Sequence, residues 1–283
     1  MLLVEIGERE RLPAIFGSDA PAGYAGGAVT APAAGQPAIW SMCLTAREAL
    51  REFALQSVKF EMFYEAVFEN PVIRYFTAAA PGLDELTLMG KIEHLHRTAM
   101  APVSHARFDL MIFDAPATGQ GLAFFKVPQM AMSMARVGPL FAKAERLWQL
   151  IADPARTAFS IVTLPEELSV SEAIELRTAA VEMGLPPGTV IVNGVHPELF
   201  PGEDAVLSRA REQASPVSQP AAALARAALD AAASATARRR ADVAMVERLT
   251  RELPLPPIVL PFLSRSRIGP AEIATLADGL DTR

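Results

Sequence analysis

Asp114 closes the apolar run Phe108-Asp109-Leu110-Met111-Ile112-Phe113. A turn punctuated by proline and glycine follows at once, Ala115-Pro116-Ala117-Thr118-Gly119-Gln120-Gly121. An aspartate fixed at a strand end is a hard oxygen donor, which a Mg²⁺ ion beside a nucleotide phosphate requires as ligand or as holder of its water shell. Read from the residues alone, the same carboxylate could equally cap the turn behind it. Four other places gather polar groups after an apolar run: Glu5 to Glu8, Pro165 to Glu167, Asn193-Gly194, and Pro261 to Arg267. Glu8 could orient an attacking water. The plainer reading of Glu8, Arg9, Glu10 and Arg11 is a solvated helix start. Asn193 can accept from and donate to the edge of a base, or form a turn before Gly194.

Other groups carry less chemistry. His94 and His96 are two apart, so on a helix they do not share a face and do not make a metal pair. His105 and His196 read as loop or surface residues, and no Ser/His/Asp grouping is recognisable. The single cysteine, Cys43, excludes an internal disulfide and a cysteine-rich zinc site. Met130, Met132 and Met134 are pliable and would suit an apolar groove. Their spacing of two is not a helical stripe, so core or subunit contact is the stronger reading. Arg238-Arg239-Arg240 reads as a solvated helix face, with a phosphate contact across a subunit interface as the lesser alternative.

These residues need elements to position them. Leu2-Leu3-Val4-Glu5-Ile6 is a continuous apolar run of the kind buried parallel strands show. Similar strands are expected at 38–44, 108–114, 157–164, 189–193 and 256–261. Residues 17–38 have loop composition. Thr45 with Glu48 forms a capping box that opens a helix to about 69, and Ser169 with Glu172 forms another that opens a helix to about 183. Helices are also expected at 71–79, 83–100 and 122–152, the last with breaks near Pro128 and Gly138-Pro139. Residues 221–252, with 12 alanines between 221 and 241, read as one long helix or a helix pair. Unbroken, it would span roughly 48 Å at the helical rise per residue. A last helix is expected at 270–280, with Pro270 in its first turn. Strands alternating with helices imply an α/β fold with a mainly parallel sheet, whose ligands bind beyond the carboxyl ends of the strands.

Composition sets the outer limits. The 283 residues are 51% hydrophobic and 20% charged, enough apolar material for a core and too much for a disordered chain. A net charge of −6 argues against a general nucleic-acid binder. No apolar run reaches the ~18 residues of a membrane span, and a cytoplasmic protein is expected.

Several blocks together resemble one family. Asp114-Ala115-Pro116-Ala117-Thr118-Gly119, with Phe108-Asp109 before it and Leu122 and Val127-Pro128 after it, resembles the switch II segment of the ArsA-type anion-pump ATPases. That family includes the eukaryotic factor that targets tail-anchored membrane proteins. Leu2 through Gly17 resembles its second strand and sequel. Ala80-Pro81-Gly82-Leu83-Asp84-Glu85 through Ile92, and Val162-Thr163-Leu164-Pro165-Glu166-Glu167 with Glu172, are similar to further family blocks. Ile191-Val192-Asn193 and Leu260-Pro261-Phe262 resemble the strand ends that hold adenine. The closest likeness is to a bacterial subgroup.

The resemblance implies a P-loop NTPase-type α/β domain over 1–283, with a helical insertion at approximately 45–105 and 122–152. It implies Mg-ATP as cofactor, and hydrolysis coupled to a conformational switch of a dimer. Asp114 would hold the metal, Thr118 and Gly119 would sense the γ-phosphate, Glu8 would orient water, and Asn193, Pro261 and Phe262 would frame the adenine. The implied partners are a second copy or a complete relative, with a hydrophobic client or membrane partner and no nucleic acid.

The departures from the family are equally specific. No Gly-x-x-x-x-Gly-Lys-Ser/Thr sequence occurs in the 283 residues. Gly7 stands where the family has its switch I aspartate, and Gln120 where it often has histidine. One cysteine can build neither the family's shared zinc site nor its arsenite site, which puts an arsenite role in doubt. The chain reads as starting at the family's second strand, either as a shortened reading of a longer gene or as a P-loop-less, non-catalytic partner subunit. The first alternative is expected to show an in-frame P-loop coding sequence upstream of codon 1, and its absence from the genomic DNA would leave the second.

Overall fold

The computed structural model describes residues 1–30, 38–57, 82–99, 108–134, 137–200, 209–210, 220–265 and 267–280. The chain divides into two compact units. The first is Met1–Ala158 with Met183–Pro186 and Ile268–Pro270. The second is Phe159–Glu182, Pro187–Arg267 and Ala271–Arg283.

The first unit is built around β1 (Leu2–Ile6), which pairs in parallel with β3 (Trp40–Leu44) on one side and β4 (Met111–Phe113) on the other. Val4 lies opposite both Met42 and Phe113. A two-residue strand, β2 (Gly27–Ala28), adds antiparallel to β3, so the order is β2-β3-β1-β4. Leu2, Val4 and Leu44 are buried, as the apolar runs require. The short helix α1 (Leu12–Ile15) follows β1. Then come α2 (Ala46–Ser57), α3 (Leu83–Ala99), α4 (Thr118–Met134) and α5 (Pro139–Ile151). α2 packs on α3, and α4 packs on α5.

The Thr45 cap forms: its hydroxyl accepts the Glu48 N–H at 3.2 Å and donates to the Glu48 carboxylate at 2.7 Å. Such a cap contributes about 1 kcal/mol. The extension of that helix to 69, the helix at 71–79, and His105 lie outside the described residues.

Three sequence expectations are corrected. There is no break at Pro128, because α4 runs through it. Its ring is fully buried, and that packing offsets the backbone hydrogen bond proline cannot make. The break at Gly138-Pro139 is real, with Gly138 at the N-cap of α5. Ser169 does not cap a helix. The helix α6 (Glu167–Met183) starts two residues earlier, and the Ser169 carbonyl instead accepts the Thr163 hydroxyl at 2.9 Å. The strand at 108–114 is shorter than its apolar run: Met111–Phe113 pairs in register with β1, and Leu110 and Asp114 add one hydrogen bond each at its ends.

The second unit centres on β6 (Pro187–Val195), which pairs in parallel with β5 (Phe159–Thr163) and β7 (Ile258–Pro261). Its core joins Val192 and Val195 of β6 to Val170 of α6 and to Leu249 of α7 (Pro220–Glu252), with Met245, Val246 and Leu253 packed around them. The alanine-rich region is therefore one helix of 33 residues rather than a pair. The last helix, α8, spans Pro270–Leu280.

One polar network locks the helices of the first unit. Glu52 of α2 accepts the Lys91 ammonium of α3 at 2.6 Å and the Tyr24 hydroxyl at 2.6 Å. The Lys91 nitrogen also sits 4.8 Å from the Tyr24 ring centre. Burial alone would raise the Glu52 carboxyl. The hydrogen bonds from Lys91 and Tyr24 outweigh it and hold the group below its ordinary range. A carboxylate lowered by folding adds stability above its unfolded value, about pH 4.3, and that stability is lost as pH falls through the folded value. The difference in thermal midpoint between the native chain and Glu52→Gln should therefore shrink as pH falls from about 6 to about 3. A difference independent of pH would remove the ionised network.

Candidate functional site

In the first unit the loop after β1 is held by carboxylates. Glu5 is only 7% exposed, and both its oxygens accept the Arg11 N–H, at 3.1 and 3.2 Å. One of them also accepts the Leu12 N–H at 3.3 Å, at the start of α1. Glu10 accepts the Ala22 and Gly23 N–H groups, each at 2.7 Å. The buried Cys43 thiol donates to the Gly7 carbonyl at 3.1 Å. Burial, and then the nearby carboxylates led by Glu5, push that thiol up to about 11, so it remains a protonated donor.

Glu8 is left exposed between these anchors. It is not in a helix start, since α1 begins only at Leu12. It lines a cavity of about 240 Å³ with Gly7, Thr45, Asp84, Glu85 and Pro116. Burial, and then Glu85, raise the Asp84 carboxyl above its ordinary value. Among the described residues no cluster of three or more His, Cys, Asp or Glu side chains is arranged to hold a metal.

Asp114 follows β4 directly. Its N–H donates to the Val4 carbonyl at 2.8 Å, which extends the ladder by one bond, and its side chain is exposed. Thr118 and Gly119 open α4. A helix's first turn presents backbone N–H groups that suit an anion. The path from Asp114 into α4 is tight. A Cβ at Gly121 would lie 2.8 Å from the Pro116 carbonyl oxygen, so only glycine fits there without a backbone shift.

In the second unit the structure brings Asn193, Pro261 and Phe262 together at the carboxyl ends of the neighbouring strands β6 and β7. Val192 pairs with Val259 and Val195 with Pro261, so β6 carries one residue more than β7 over this stretch. The extra residue falls at Asn193-Gly194, and Gly194 takes the φ of +79° that glycine tolerates. Asn193 is thus part of a strand irregularity and not of a turn. The Phe262 N–H donates to the Val195 carbonyl at 2.8 Å, and the residue is 44% exposed. The His196 ring stacks on it, with centroids 4.6 Å apart and planes 20° apart. Asp242 of α7, only 6% exposed, uses one oxygen to accept both the His196 backbone N–H and its Nδ1–H, each at 2.8 Å.

The sequence residues thus fall into two groups, Glu8, Asp114, Thr118 and Gly119 in the first unit and Asn193, Pro261 and Phe262 in the second. His196 read only as loop or surface, and Asp242 did not stand out. A cue was present. Asp242 precedes Met245, Val246, Leu249 and Leu253 at helical spacing, so it is the one acid on the buried stripe of α7.

Residues 130–215 match the anion-transporting ATPase family of the ArsA type. The chain's α/β architecture and parallel strand pairing agree with the P-loop NTPase type expected for that family. Of the site residues named above, Asn193 lies in the matched interval, as does His196. The ATPase BagA of Mycobacterium tuberculosis (strain H37Rv) is 34% identical over 143 residues, covering 47% of this chain and 40% of the relative. A Mycobacterium bovis protein described as an ATPase matches with the same figures. The aligned part therefore spans about two fifths of the length of these curated relatives.

The Gly121 contact makes a testable demand. Gly121→Ala should destabilise the first unit by about 1–3 kcal/mol, the usual cost of overpacking. Chemical denaturation measures it, and an unchanged midpoint would show that the turn can yield.

Proposed function

We propose that this chain is an ArsA-type nucleotide-binding protein with Mg-ATP as the ligand, its first unit carrying metal-facing residues and its second unit base-facing residues. The observation that carries the reading is Asp114. It is an exposed carboxylate fixed by its own backbone to β1 at the carboxyl end of a parallel sheet, directly before the first turn of α4. A hard oxygen donor in that position fits Mg²⁺. In the second unit, an amide at a strand irregularity and a half-exposed aromatic ring fit the edge and face of a purine.

When bound, Mg-ATP supplies the phosphoanhydride bond whose hydrolysis the family uses. The chain's own residues do the rest. Asp114 holds the metal's water shell, the backbone of Thr118 and Gly119 meets the terminal phosphate, and Glu8 accepts a proton from a positioned water. Asn193, Pro261 and Phe262 hold the base. Turnover is coupled to a rearrangement between two subunits, either two copies or this chain with a complete relative. Met130 and Met134 support an apolar client or partner: they are four apart on α4 and both exposed, Met134 by 84%. Among the described residues no helix is long and apolar enough to cross a membrane.

The lack of a Gly-x-x-x-x-Gly-Lys-Ser/Thr sequence in the 283 residues favours a second reading. In it the chain is a non-catalytic subunit that pairs with a complete ATPase.

Equilibrium titration with ATP and Mg²⁺, together with phosphate release, tests both readings on the 283-residue chain, alone and extended upstream to any in-frame P-loop. Turnover by the extended form supports the first reading, and Asp114→Asn should then lower it by about 100-fold, the scale of a lost charge-stabilising group. Binding and turnover by neither form would leave the second reading.

A further inference from the structure

Asp242 is a buried carboxylate with no lysine or arginine bound to it among the described contacts. Taking such a group out of water is costly unless hydrogen bonds replace the lost solvent. Here one oxygen accepts two bonds from a single residue, the His196 backbone N–H and its ring Nδ1. The first fixes the backbone just beyond β6. The second fixes the ring, with the proton on Nδ1. A histidine held at both points cannot swing, and its flat face lies on Phe262, 4.6 Å between centroids and 20° between planes. Phe262 is itself tied to β6 by its N–H, which donates to the Val195 carbonyl at 2.8 Å.

The result is a stack with an order. Asp242, inside the core, grips the edge of the imidazole through Nδ1, and the face of that imidazole lies on Phe262. One face of the Phe262 ring is covered by imidazole, and the residue remains 44% exposed. An aromatic ring braced from behind loses little freedom when a flat ligand stacks on its front. We propose that Asp242 and His196 are positioning residues that brace Phe262 as a stacking platform for a nucleobase. This rests on the reading of Asn193, Pro261 and Phe262 as the base-binding strand ends, and it adds to that reading the groups that make the platform rigid. Neither residue touches the base. Asp242 acts through His196, and His196 acts through the ring it supports.

The test uses the whole chain and adenosine, which carries the base without phosphates. Binding is followed by titration and by saturation-transfer NMR. Four proteins are compared: the native chain, His196→Ala, His196→Phe and Asp242→Asn. Thermal melting of each confirms that it is folded. His196→Ala removes the brace and should weaken adenosine binding about 5-fold or more. His196→Phe restores an aromatic surface behind Phe262 without the bond to Asp242, and should recover affinity to within about twofold of native. Asp242→Asn should fall between the two. A merely structural role would not be rescued by phenylalanine, which leaves the buried carboxylate short of its partner. Native-like adenosine binding by His196→Ala would overturn the bracing role while leaving the base site in place. Loss in both His196 variants would also overturn it. No adenosine binding by the folded native chain would overturn the base site itself, and the bracing role with it.

Discussion

A parallel strand ends where the chain must turn away, and the N–H groups of the turn have no ladder to join. This protein meets that constraint with acidic side chains. Glu5 accepts the N–H groups that open α1, Glu10 those of Ala22 and Gly23, and Asp242 that of His196. Glu5 lies near the carboxyl end of β1, Glu10 in the loop that follows it, and Asp242 on the helix packed against β6. None is the group the proposed chemistry uses. They fix loops so that Glu8 and Asn193, neither of which makes these bonds, stand at defined positions. A charge-assisted bond to backbone is roughly twice as strong as a neutral one, so a few acids can hold loops that hydrophobic contact alone would leave loose.

The two units apply this constraint in different ways. In the first, the anchors are local, reaching from Glu5 to Arg11 and from Glu10 to Gly23. In the second, the anchor comes from 46 residues away, from the middle of a 33-residue helix. The long helix is therefore more than a cover for β6. It carries Asp242 to His196 on the same stripe that carries Leu249 into the core, so packing and polar positioning are set by one helical phase.

The elements that were legible in the sequence were those with a single dominant cause. β1 and β3 are continuous apolar runs, Thr45 has its glutamate three residues on, and α8 opens on Pro270. The misreadings arose where tertiary packing outweighed a local rule. Pro128 sits inside α4 because its ring is buried, and Ser169 with Glu172 has the letters of a cap in a helix that starts earlier. The candidate site divides the same way. Asp114 was visible because an acid ends an apolar run. The pairing of His196 with Asp242 was not, since a separation of 46 residues leaves no periodic trace, and only the lone acid on an apolar stripe hinted at it.

The extra residue at Asn193-Gly194 has a consequence for how this sequence can change. Along β6 the buried positions run 190, 192, then 195, so the alternation skips a beat at the irregularity. Everything downstream is out of phase with everything upstream. Deleting one residue there would leave Val195 two places after Val192, the spacing of a regular strand, so both would still face the core while the bulge that carries Asn193 and Gly194 disappeared. Substitutions at these positions change a side chain, whereas a change of length by one restores regular pairing and removes the irregularity on which Asn193 and Gly194 sit. Homologous segments should therefore tolerate variety in residue type here far more readily than variety in number.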